Sequence, residues 1–217
     1  MNPLAADAPL QLLPEGAAFL TASSTLIVAD LHLGKSATFR ARGLPVPEGD
    51  TARDLARLCA LAEKYRAAQL VIAGDFFHAA AGLTQEVEAA LSEFLHAIGI
   101  PVTLVVGNHD LKLKQIPTPL HSVPALDLEE NFRVIHDPAD AGGEQLHLCG
   151  HWHPVVKIRD GKRSSLRFPC FLLRHNTLVL PAFGSFTGGA VLTPTAGDRV
   201  FVALRETLVE LPHALIS

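Results

Sequence analysis

The chain has 217 residues, of which 48% are hydrophobic and 18% are charged, and its mean hydropathy is +0.26. These values are typical of a folded protein and exclude an intrinsically disordered one, and we expect a single domain over residues 1–217. The net charge of -4 excludes a basic field over the whole surface, so a nucleic acid would have to be held by local patches. The apolar excess also leaves room for an oligomer interface.

The cysteines and the first residues bear on location. Cys59, Cys149 and Cys170 are odd in number and far apart, which is typical of reduced core thiols rather than of a disulfide framework. Residues 1–13 contain no lysine or arginine, whereas a secretory signal begins with basic residues. No apolar run approaches the ~20 residues that a transmembrane helix needs. We therefore expect a cytoplasmic protein without membrane contact.

The first half of the chain alternates short apolar runs with amphipathic segments. Apolar runs at 26–29, 70–73 and 102–106 are typical of buried parallel strands. Between them, one predicted helix has Asp50 or Thr51 as its N-cap and reaches Tyr65. A second begins with Thr84 as its N-cap and ends before Gly99. The order strand–helix–strand–helix–strand predicts an α/β unit.

The second half of the chain has a different texture. After Pro124, strand-like runs are separated by turn-forming residues, at 133–135, 145–149, 155–158, 165–173, 177–180, 199–204 and 208–211. Together with the first half, this pattern predicts two mixed β-sheets packed together with helices outside.

Polar clusters follow five of the predicted strands. Because the loops after strand carboxyl ends converge on one edge of an α/β sheet, their side chains are expected to meet. The clusters are Asp30-Leu31-His32, Gly74-Asp75, Gly107-Asn108-His109-Asp110, His136 and Gly150-His151-Trp152-His153.

The donor types in these clusters favour a metal centre. Carboxylate, amide and imidazole ligands without thiolate suit Mn, Fe, Zn and similar divalent ions. Two ions ~3.5–4 Å apart, bridged by one aspartate, can clamp a phosphate and acidify a water. Each cluster alone has an ordinary explanation, such as a turn at Gly-Asp. The ordered set of five favours the metal centre.

This ordered set, which runs from Asp30 to His153, resembles the calcineurin-like metallophosphoesterase superfamily. The resemblance implies a four-layer α-β-β-α sandwich, with two mixed β-sheets flanked by helices, and a site for two divalent metals. It implies that the first metal is held by Asp30, His32, Asp75 and His153. It implies that the second is held by Asp75, Asn108, His136 and His151.

The resemblance also implies roles in catalysis. A hydroxide bridging the metals would attack phosphorus, His109 would be the general acid, and Asp110 would orient His109. Two positions depart from the commoner pattern. His78 stands where Asp or Asn often follows Gly-Asp, and His136 is followed by Asp rather than Gly. For His78, support behind the ligands, a substrate contact and a structural role all stay open.

Longer motifs resemble bacterial ligase-associated DNA damage response endonucleases over nearly the whole chain. They are Gly-Asp-Phe-Phe-His at 74–78, Leu-Cys-Gly-His-Trp-His-Pro at 148–154, Phe-Pro-Cys-Phe at 168–171 and Leu-Pro-Ala-Phe-Gly-Ser-Phe-Thr-Gly-Gly at 180–189. This narrower resemblance implies phosphodiester cleavage in DNA repair, often with manganese, and DNA ligase or helicase as functional partners. Fe, Zn, Ni and Mg are the other ions to consider.

Two further features lie near the motifs. Lys35 is so close to Asp30 and His32 that it is a candidate phosphate contact. Other basic residues are either a track for a nucleic-acid backbone or ordinary solvated surface. They are Arg40, Arg42, Lys112, Lys114, Lys157, Arg159, Lys162, Arg163, Arg167 and Arg174. The glycine-rich loop 183–189 indicates either backbone that runs close to the site or a turn with positive φ angles.

The leading hypothesis is a dinuclear-metal-dependent phosphodiesterase, for which a DNA endonuclease of DNA repair is one candidate. The segment 111–133 is short for a lid, so an open site that admits a polymer or a varied set of small diesters is expected. A phosphomonoesterase or nucleotide pyrophosphohydrolase would share the same metal core and is the alternative. A non-catalytic partner-binding scaffold is disfavoured because every expected site position is filled. A nucleic-acid-binding module as the main role is disfavoured by the acidic net charge and by the absence of an aromatic stacking motif from the sequence.

Overall fold

The computed structural model describes residues 9–117, 119–129, 131–160, 164–204 and 206–216, and only the backbone of residues 159, 160 and 164. The described residues do not include residues 1–8, which belong to the segment considered above as a possible secretory signal, or the basic residues Lys162 and Arg163. The α-helices are α1 (Lys35–Ala41), α2 (Asp50–Lys64) and α3 (Gln85–Ala97). Short 3-10 helices are Ala80–Gly82, Asp110–Lys112, Pro138–Asp140 and His213–Leu215.

The strands are β1 (Leu10–Leu13), β2 (Ala17–Leu20), β3 (Thr25–Val28), β4 (Gln69–Ala73), β5 (Val102–Val105), β6 (His121–Val123), β7 (Leu126–Leu128), β8 (Phe132–Val134), β9 (Leu146–Cys149), β10 (Pro154–Asp160), β11 (Ser164–Arg174), β12 (Thr177–Val179), β13 (Ala190–Val191), β14 (Arg199–Leu204) and β15 (Thr207–Glu210). All the strands predicted from the sequence are present, with ends that differ by a residue or two.

The first sheet has the order β1-β2-β3-β4-β5-β6. Its first three strands are antiparallel, whereas β3, β4, β5 and β6 run parallel to one another. The carboxyl ends of the parallel strands therefore meet at one edge of the sheet, as the alternation of strands and helices predicted.

The second sheet has the order β13-β10-β11-β12-β9-β8-β7, and β14 pairs with both β11 and β15. Strands β8, β9 and β12 are parallel, and β10, β11 and β14 are joined by antiparallel pairing. The prediction of two mixed sheets with flanking helices is thus confirmed.

The two sheets pack face to face around an apolar core. Ile27, Val71 and Val105 of the first sheet share this core with Leu148 and Phe201 of the second. The opposite face of the first sheet is covered by α2 and α3. Both helices lie where they were predicted, and the Thr84 hydroxyl accepts a hydrogen bond from the backbone N–H of Val87 at the start of α3.

The prediction that Asp50 or Thr51 caps α2 is wrong, because the N-cap is Gly49 and the side chains of Asp50 and Thr51 accept hydrogen bonds from residues around α1 instead.

The outer face of the second sheet is covered more thinly. A third apolar cluster lies there, and partly buried residues packed against it include Ala141 and Ile216, which end two of the 3-10 helices. No helix in the described part of the chain is long and apolar enough to cross a membrane.

Candidate metal centre

The five polar clusters converge where the two sheets meet. Asp30 follows β3, and its backbone N–H donates to the carbonyl of Gly74 after β4 (3.1 Å). From the second sheet, the backbone N–H of His151 donates to the Asp30 carboxylate at 3.0 and 3.2 Å. Asp30 therefore connects the two sheets at the edge where their loops meet.

The first group of donor atoms comes from Asp30, His32 and His153. Their donor atoms lie within 4.8 Å of one another. The Nε2 atom of His153 is 3.2 Å from Oδ1 of Asp30 and 3.2 Å from Nε2 of His32. Oxygen and nitrogen donors thus face one point from three directions.

The second group comes from Asp75, His136 and His151, whose donor atoms also lie within 4.8 Å of one another. Asn108 joins them, because its Oδ1 atom is 3.0 Å from Nε2 of His136 and 3.1 Å from Nδ1 of His151. The two imidazole nitrogens are 3.1 Å apart.

Asp75 lies between the two groups. Its Oδ2 atom is 3.9 Å from Nε2 of His32 and 3.5 Å from Nε2 of His136, and its side chain is only 3% exposed. One carboxylate thus faces both groups, which is the position that the family resemblance implies for a bridging ligand.

The charges of the site fit a cation. Burial alone would raise the pKa of Asp75, but the hydrogen bond and charge of His136 lower it to about 2. Burial alone would lower the pKa of His136, but Asp75 raises it to about 9. A proton on His136 thus balances the buried carboxylate, and a divalent ion bound to the same atoms can take over that charge.

Burial shifts the pKa values of His32 and Cys149 so that both side chains are uncharged, unlike His136. Burial lowers the pKa of His32 to about 2, so this imidazole is neutral and can donate a lone pair to a metal. Burial raises the pKa of the Cys149 thiol well above its usual range, so this neighbour of the site is a thiol and not a thiolate ligand.

Backbone carbonyls hold two of the imidazoles by their Nδ1 atoms. Nδ1 of His136 is 3.1 Å from the carbonyl of Ala73, and Nδ1 of His153 is 3.2 Å from the carbonyl of Gly188. A carbonyl accepts only from N–H, so Nδ1 carries a proton in both rings and Nε2 faces the site. On His136, whose charged form Asp75 favours, a bound metal would replace the proton on Nε2. Partners of this kind orient metal-binding histidines.

The backbone is strained at the same residues. Among the described residues nine non-glycine residues have positive φ, and five of them belong to the site: Asp30, His32, Asp75, His151 and His153, at 44 to 69°. This conformation costs on the order of 1–3 kcal/mol per residue and occurs where the surrounding structure enforces it, often at functional sites.

Two glycines allow the loops to approach one another. A Cβ atom on Gly107 would collide with Asp75, and one on Gly150 would collide with the Asp30 carboxylate. The close approach of these loops therefore excludes any side chain at either position.

His109 lies beside the first group. Its ring stacks on His78, with centroids 5.0 Å apart and an angle of 22°, and meets His32 edge-on at 4.9 Å. Nδ1 of His109 is 2.6 Å from the carbonyl oxygen of His78, so Nδ1 carries a proton and donates a hydrogen bond to that carbonyl.

The prediction that Asp110 orients His109 is wrong. The Asp110 carboxylate is turned inward and accepts backbone hydrogen bonds from Gly107 and Phe77, both at 2.9 Å, and from Phe76 at 3.3 Å. Burial raises its pKa to about 6, although these bonds oppose the rise. Asp110 thus joins the loop after β4 to the loop after β5, and the His78 carbonyl orients His109.

His78 and Lys35 adjoin His32. Nδ1 of His78 is 3.4 Å from Nδ1 of His32, and burial, together with repulsion from Lys35, lowers the pKa of His78 to about 4. Burial lowers the pKa of Lys35, and the opposite charge of Asp30 counteracts this. His78 is therefore a neutral ring behind His32, and Lys35 is close enough to feel the Asp30 carboxylate.

The glycine-rich loop 183–189 runs close to the site. Neither Gly184 nor Gly189 has a positive φ, but a Cβ atom would strike the carbonyl of Leu31 at the first and the carbonyl of His153 at the second. Close approach to the site, and not a turn with positive φ, therefore explains these glycines.

Asp54, which is not among the predicted site residues, anchors this loop. The Asp54 carboxylate is buried and accepts hydrogen bonds from Ser185 N (2.7 Å) and Oγ (3.0 Å) and from Arg57 (2.9 Å). The backbone N–H of Gly184 then donates to the carbonyl of Asp30 at 3.3 Å. Asp54 lies on a predicted helix, 131 residues before its partner, and no sequence motif marks the contact.

Residues 23–170 match the family model described as calcineurin-like phosphoesterase. The chain is similar to the solved structure of Pseudomonas putida nuclease MPE, with 35% sequence identity, a TM-score of 0.76, and coverage of 93% of this chain and 94% of that chain. It also matches Yfce, a phosphoesterase from E. coli, with 16% identity, a TM-score of 0.43, and coverage of 86% and 97%. No curated protein matches the chain.

Proposed function

The chain belongs to the calcineurin-like phosphoesterase family and is a metal-dependent phosphoesterase, and from this premise we propose that it is a dinuclear DNA endonuclease. The observation that carries the proposal is the pair of donor groups on either side of Asp75. The similarity to a nuclease at 35% identity over most of both chains supports a diester of nucleic acid as the substrate.

The proposed ligands are those that the two donor groups supply. Asp30, His32, Asp75 and His153 hold one ion, and Asp75, Asn108, His136 and His151 hold the other. We propose manganese, since the oxygen and imidazole donors without thiolate suit it, and Fe, Zn, Ni and Mg are tested beside it. When bound, two such ions would supply positive charge that polarises a phosphate and lowers the pKa of a water.

The remaining steps belong to side chains of this chain. The Nδ1–H group of His109 donates a hydrogen bond to the His78 carbonyl, so the proton available for catalysis is the one on Nε2 of the charged ring. That proton passes from Nε2 to the oxygen of the leaving group as the ester bond breaks. Lys35 attracts the phosphate by its charge, and His78 supports His32 from behind.

The surroundings of the site favour a diester over a small monoester. The segment after His109 contributes β6 to the first sheet and β7 to the second, so this stretch builds the fold instead of covering the site. His109, His151 and His153 are partly exposed, which leaves room for a chain that continues on both sides of the phosphate.

The cellular setting follows from the same proposal. A DNA endonuclease in repair acts with enzymes that unwind and reseal the strand, so a DNA helicase and a DNA ligase are the proposed functional partners. Cys59, Cys149 and Cys170 are all free thiols, which supports the cytoplasm as the compartment.

The first experiment compares a diester with a monoester. Metal-stripped protein is assayed on bis(p-nitrophenyl) phosphate and on p-nitrophenyl phosphate, with Mn, Mg, Zn, Ni or Fe added back. We expect Mn-dependent cleavage of the diester, faster than that of the monoester, and then cleavage of circular single-stranded DNA. Asp75→Asn and His109→Ala are expected to lose most of this activity, whereas the exposed Asp127→Asn is the matched control.

Other outcomes are equally informative. Faster cleavage of the monoester would replace the proposal by a phosphomonoesterase or nucleotide pyrophosphohydrolase. Two bound ions without activity on any ester would leave a partner-binding scaffold.

A further inference from the structure

Two phenylalanine rings lie beside the candidate metal centre. Phe39 comes from α1 and Phe186 from the loop 183–189, and their ring centroids are 5.8 Å apart at an angle of 72°. Phe39 also meets His78 edge-on, at 6.1 Å and 89°. Two elements distant in sequence thus bring an aromatic pair to the edge of the site.

These two rings differ from the other phenylalanines. Eight of the eleven are buried, and Phe168 packs against the third apolar cluster. Phe39 and Phe186 are partly exposed and belong to none of the three apolar clusters of the described residues. Core packing therefore does not account for the pair.

The pair is joined to the metal centre by a row of rings. His78 contacts Phe39 on one side and stacks on His109 on the other, and His109 meets His32 at 4.9 Å. A planar group on Phe39 or Phe186 would therefore lie close enough to His109 to belong to the same substrate as a phosphate at His109.

Positive charge accompanies the rings. Lys35 lies on α1 with Phe39, and Arg42 directly follows this helix. Burial lowers the pKa of His78, and both of these charges lower it further, so both lie near this ring. Apolar rings with cations beside them are the combination that single nucleic-acid strands recognise, since bases stack and phosphates are attracted.

Both rings are held in place before a substrate arrives. The Asp54 carboxylate anchors the loop of Phe186 through Ser185. Helix α1 is anchored by a hydrogen bond from the Ser36 hydroxyl to the buried Asp50 and packs on the 3-10 helix that follows His78. Little conformational entropy is lost when a ligand packs on rings that are already ordered.

We propose that Phe39 and Phe186 form a stacking subsite for the base of the nucleoside next to the phosphate that is cleaved. The inference rests on the proposed phosphodiesterase function, since it assigns the group beside the scissile bond. It predicts a preference for nucleoside diesters over diesters of the same leaving group that lack a base.

The test uses two diesters with one leaving group. Thymidine 5′-(p-nitrophenyl phosphate) and methyl p-nitrophenyl phosphate are compared with wild type, Phe39→Leu and Phe186→Leu, all loaded with manganese. Because stacking is made equally in the ground and transition states, we expect KM for the nucleoside ester to rise about tenfold in each variant while kcat stays within about twofold. The methyl ester, metal content and melting temperature are expected to stay unchanged.

The matched control is Phe168→Leu, a partly buried phenylalanine of β11, which should leave both KM values unchanged. Equal effects of Phe39→Leu and Phe186→Leu on the two esters, or no effect on either, would overturn the subsite. If wild type cleaves neither ester, the proposed function fails. In that case the affinity for thymidine 5′-phosphate, measured by calorimetry, tests the subsite independently of catalysis. A stacking pair requires weaker binding in both Phe39→Leu and Phe186→Leu than in wild type. Equal affinity in all three proteins would refute the subsite.

Discussion

The Oδ1 atom of Asp75 accepts a 2.8 Å hydrogen bond from the backbone N–H of His109. The other oxygen of the same carboxylate faces His32 and His136, one from each donor group. Asp75 thus ties the position of the proposed general acid to that of the proposed metals. Any change at Asp75 is expected to affect metal binding and proton transfer together.

Asp75→Asn tests this coupling. The amide keeps the shape of the side chain but removes the charge that two divalent ions share, so we expect metal content to fall from two ions to one or none. Activity on a diester is expected to fall by a factor on the order of 1,000, because catalysis by two ions requires both. Elemental analysis after gel filtration measures the ions, with Asp127→Asn as the control. Two tightly bound ions in Asp75→Asn would show that this carboxylate is no bridge.

Removal of metal is expected to lower thermal stability. A ligand at 100 to 1,000 times its dissociation constant stabilises a folded protein by about 3–4 kcal/mol, which is roughly 6–16 °C for a chain of this size. The five site residues with positive φ add to this dependence, since metal bonds help to hold them in place. Differential scanning calorimetry with EDTA and with excess manganese measures the shift.

The control for that shift is Asp75→Asn, which should show a much smaller difference between the two conditions. If the melting temperature of the wild type is the same with and without metal, metal ions do not stabilise the fold by binding at this site.

The sequence sufficed to predict which side chains would meet. Strands β3, β4 and β5 are apolar runs bounded by helices with clear start and stop signals, so their parallel order could be predicted. Parallel order brings Asp30, Asp75 and Asn108 to one edge whatever the details of packing. Their service as metal ligands stays a prediction until an ion is measured.

Other features depend on packing that no local pattern encodes. Asp110 follows His109 directly, yet its side chain turns to the N–H groups of Phe76 and Phe77, because those buried donors have to be satisfied. Strands β1 and β2 are short, and nearly every residue in them is buried, so polar and apolar side chains do not alternate along them. Their sequences therefore do not show the pattern by which strands are predicted. The N-cap of helix α1 is Gly34, which has no side chain to mark the start of the helix in the sequence.

Asp54→Asn is expected to loosen the loop 183–189. The amide would present N–H groups to donors from Ser185 and Arg57, which costs about 2–3 kcal/mol at a buried position. The loop supplies the carbonyl that holds His153, so weaker binding of one ion should accompany the lower stability. Manganese titration followed by calorimetry measures both effects.

Asp198→Asn is the matched control for Asp54→Asn. Asp198 is also buried and also binds an arginine and a loop N–H, but it lies in the turn before β14 with partners Arg174 and Thr195. It should lose similar stability and keep both metal affinities. Equal weakening of metal binding in the two variants would mean that the effect of Asp54 is general destabilisation.

The ion pair of Asp198 and Arg174 also makes stability depend on pH. The hydrogen bonds from Arg174 at 2.7 and 2.9 Å, with that from Thr195, lower the pKa of Asp198 from 3.8 to about 2, although burial opposes this. A carboxyl group with a lowered pKa stabilises the fold above its unfolded pKa, and that contribution is lost as pH falls towards the folded pKa. Because Arg174 is 31% exposed, the contribution is reduced to roughly 1–2 kcal/mol.

Metal-free wild type and Asp198→Asn are therefore compared by urea unfolding between pH 6 and pH 2.5. Their difference in unfolding free energy should be constant down to about pH 4 and shrink steadily below it, because the unfolded carboxyl takes up its proton first. Other carboxyl groups titrate in the same range, but they do so in both proteins and cancel in the difference. A difference that stays constant to pH 2.5 would mean that Arg174 holds Asp198 by shape alone and not by charge.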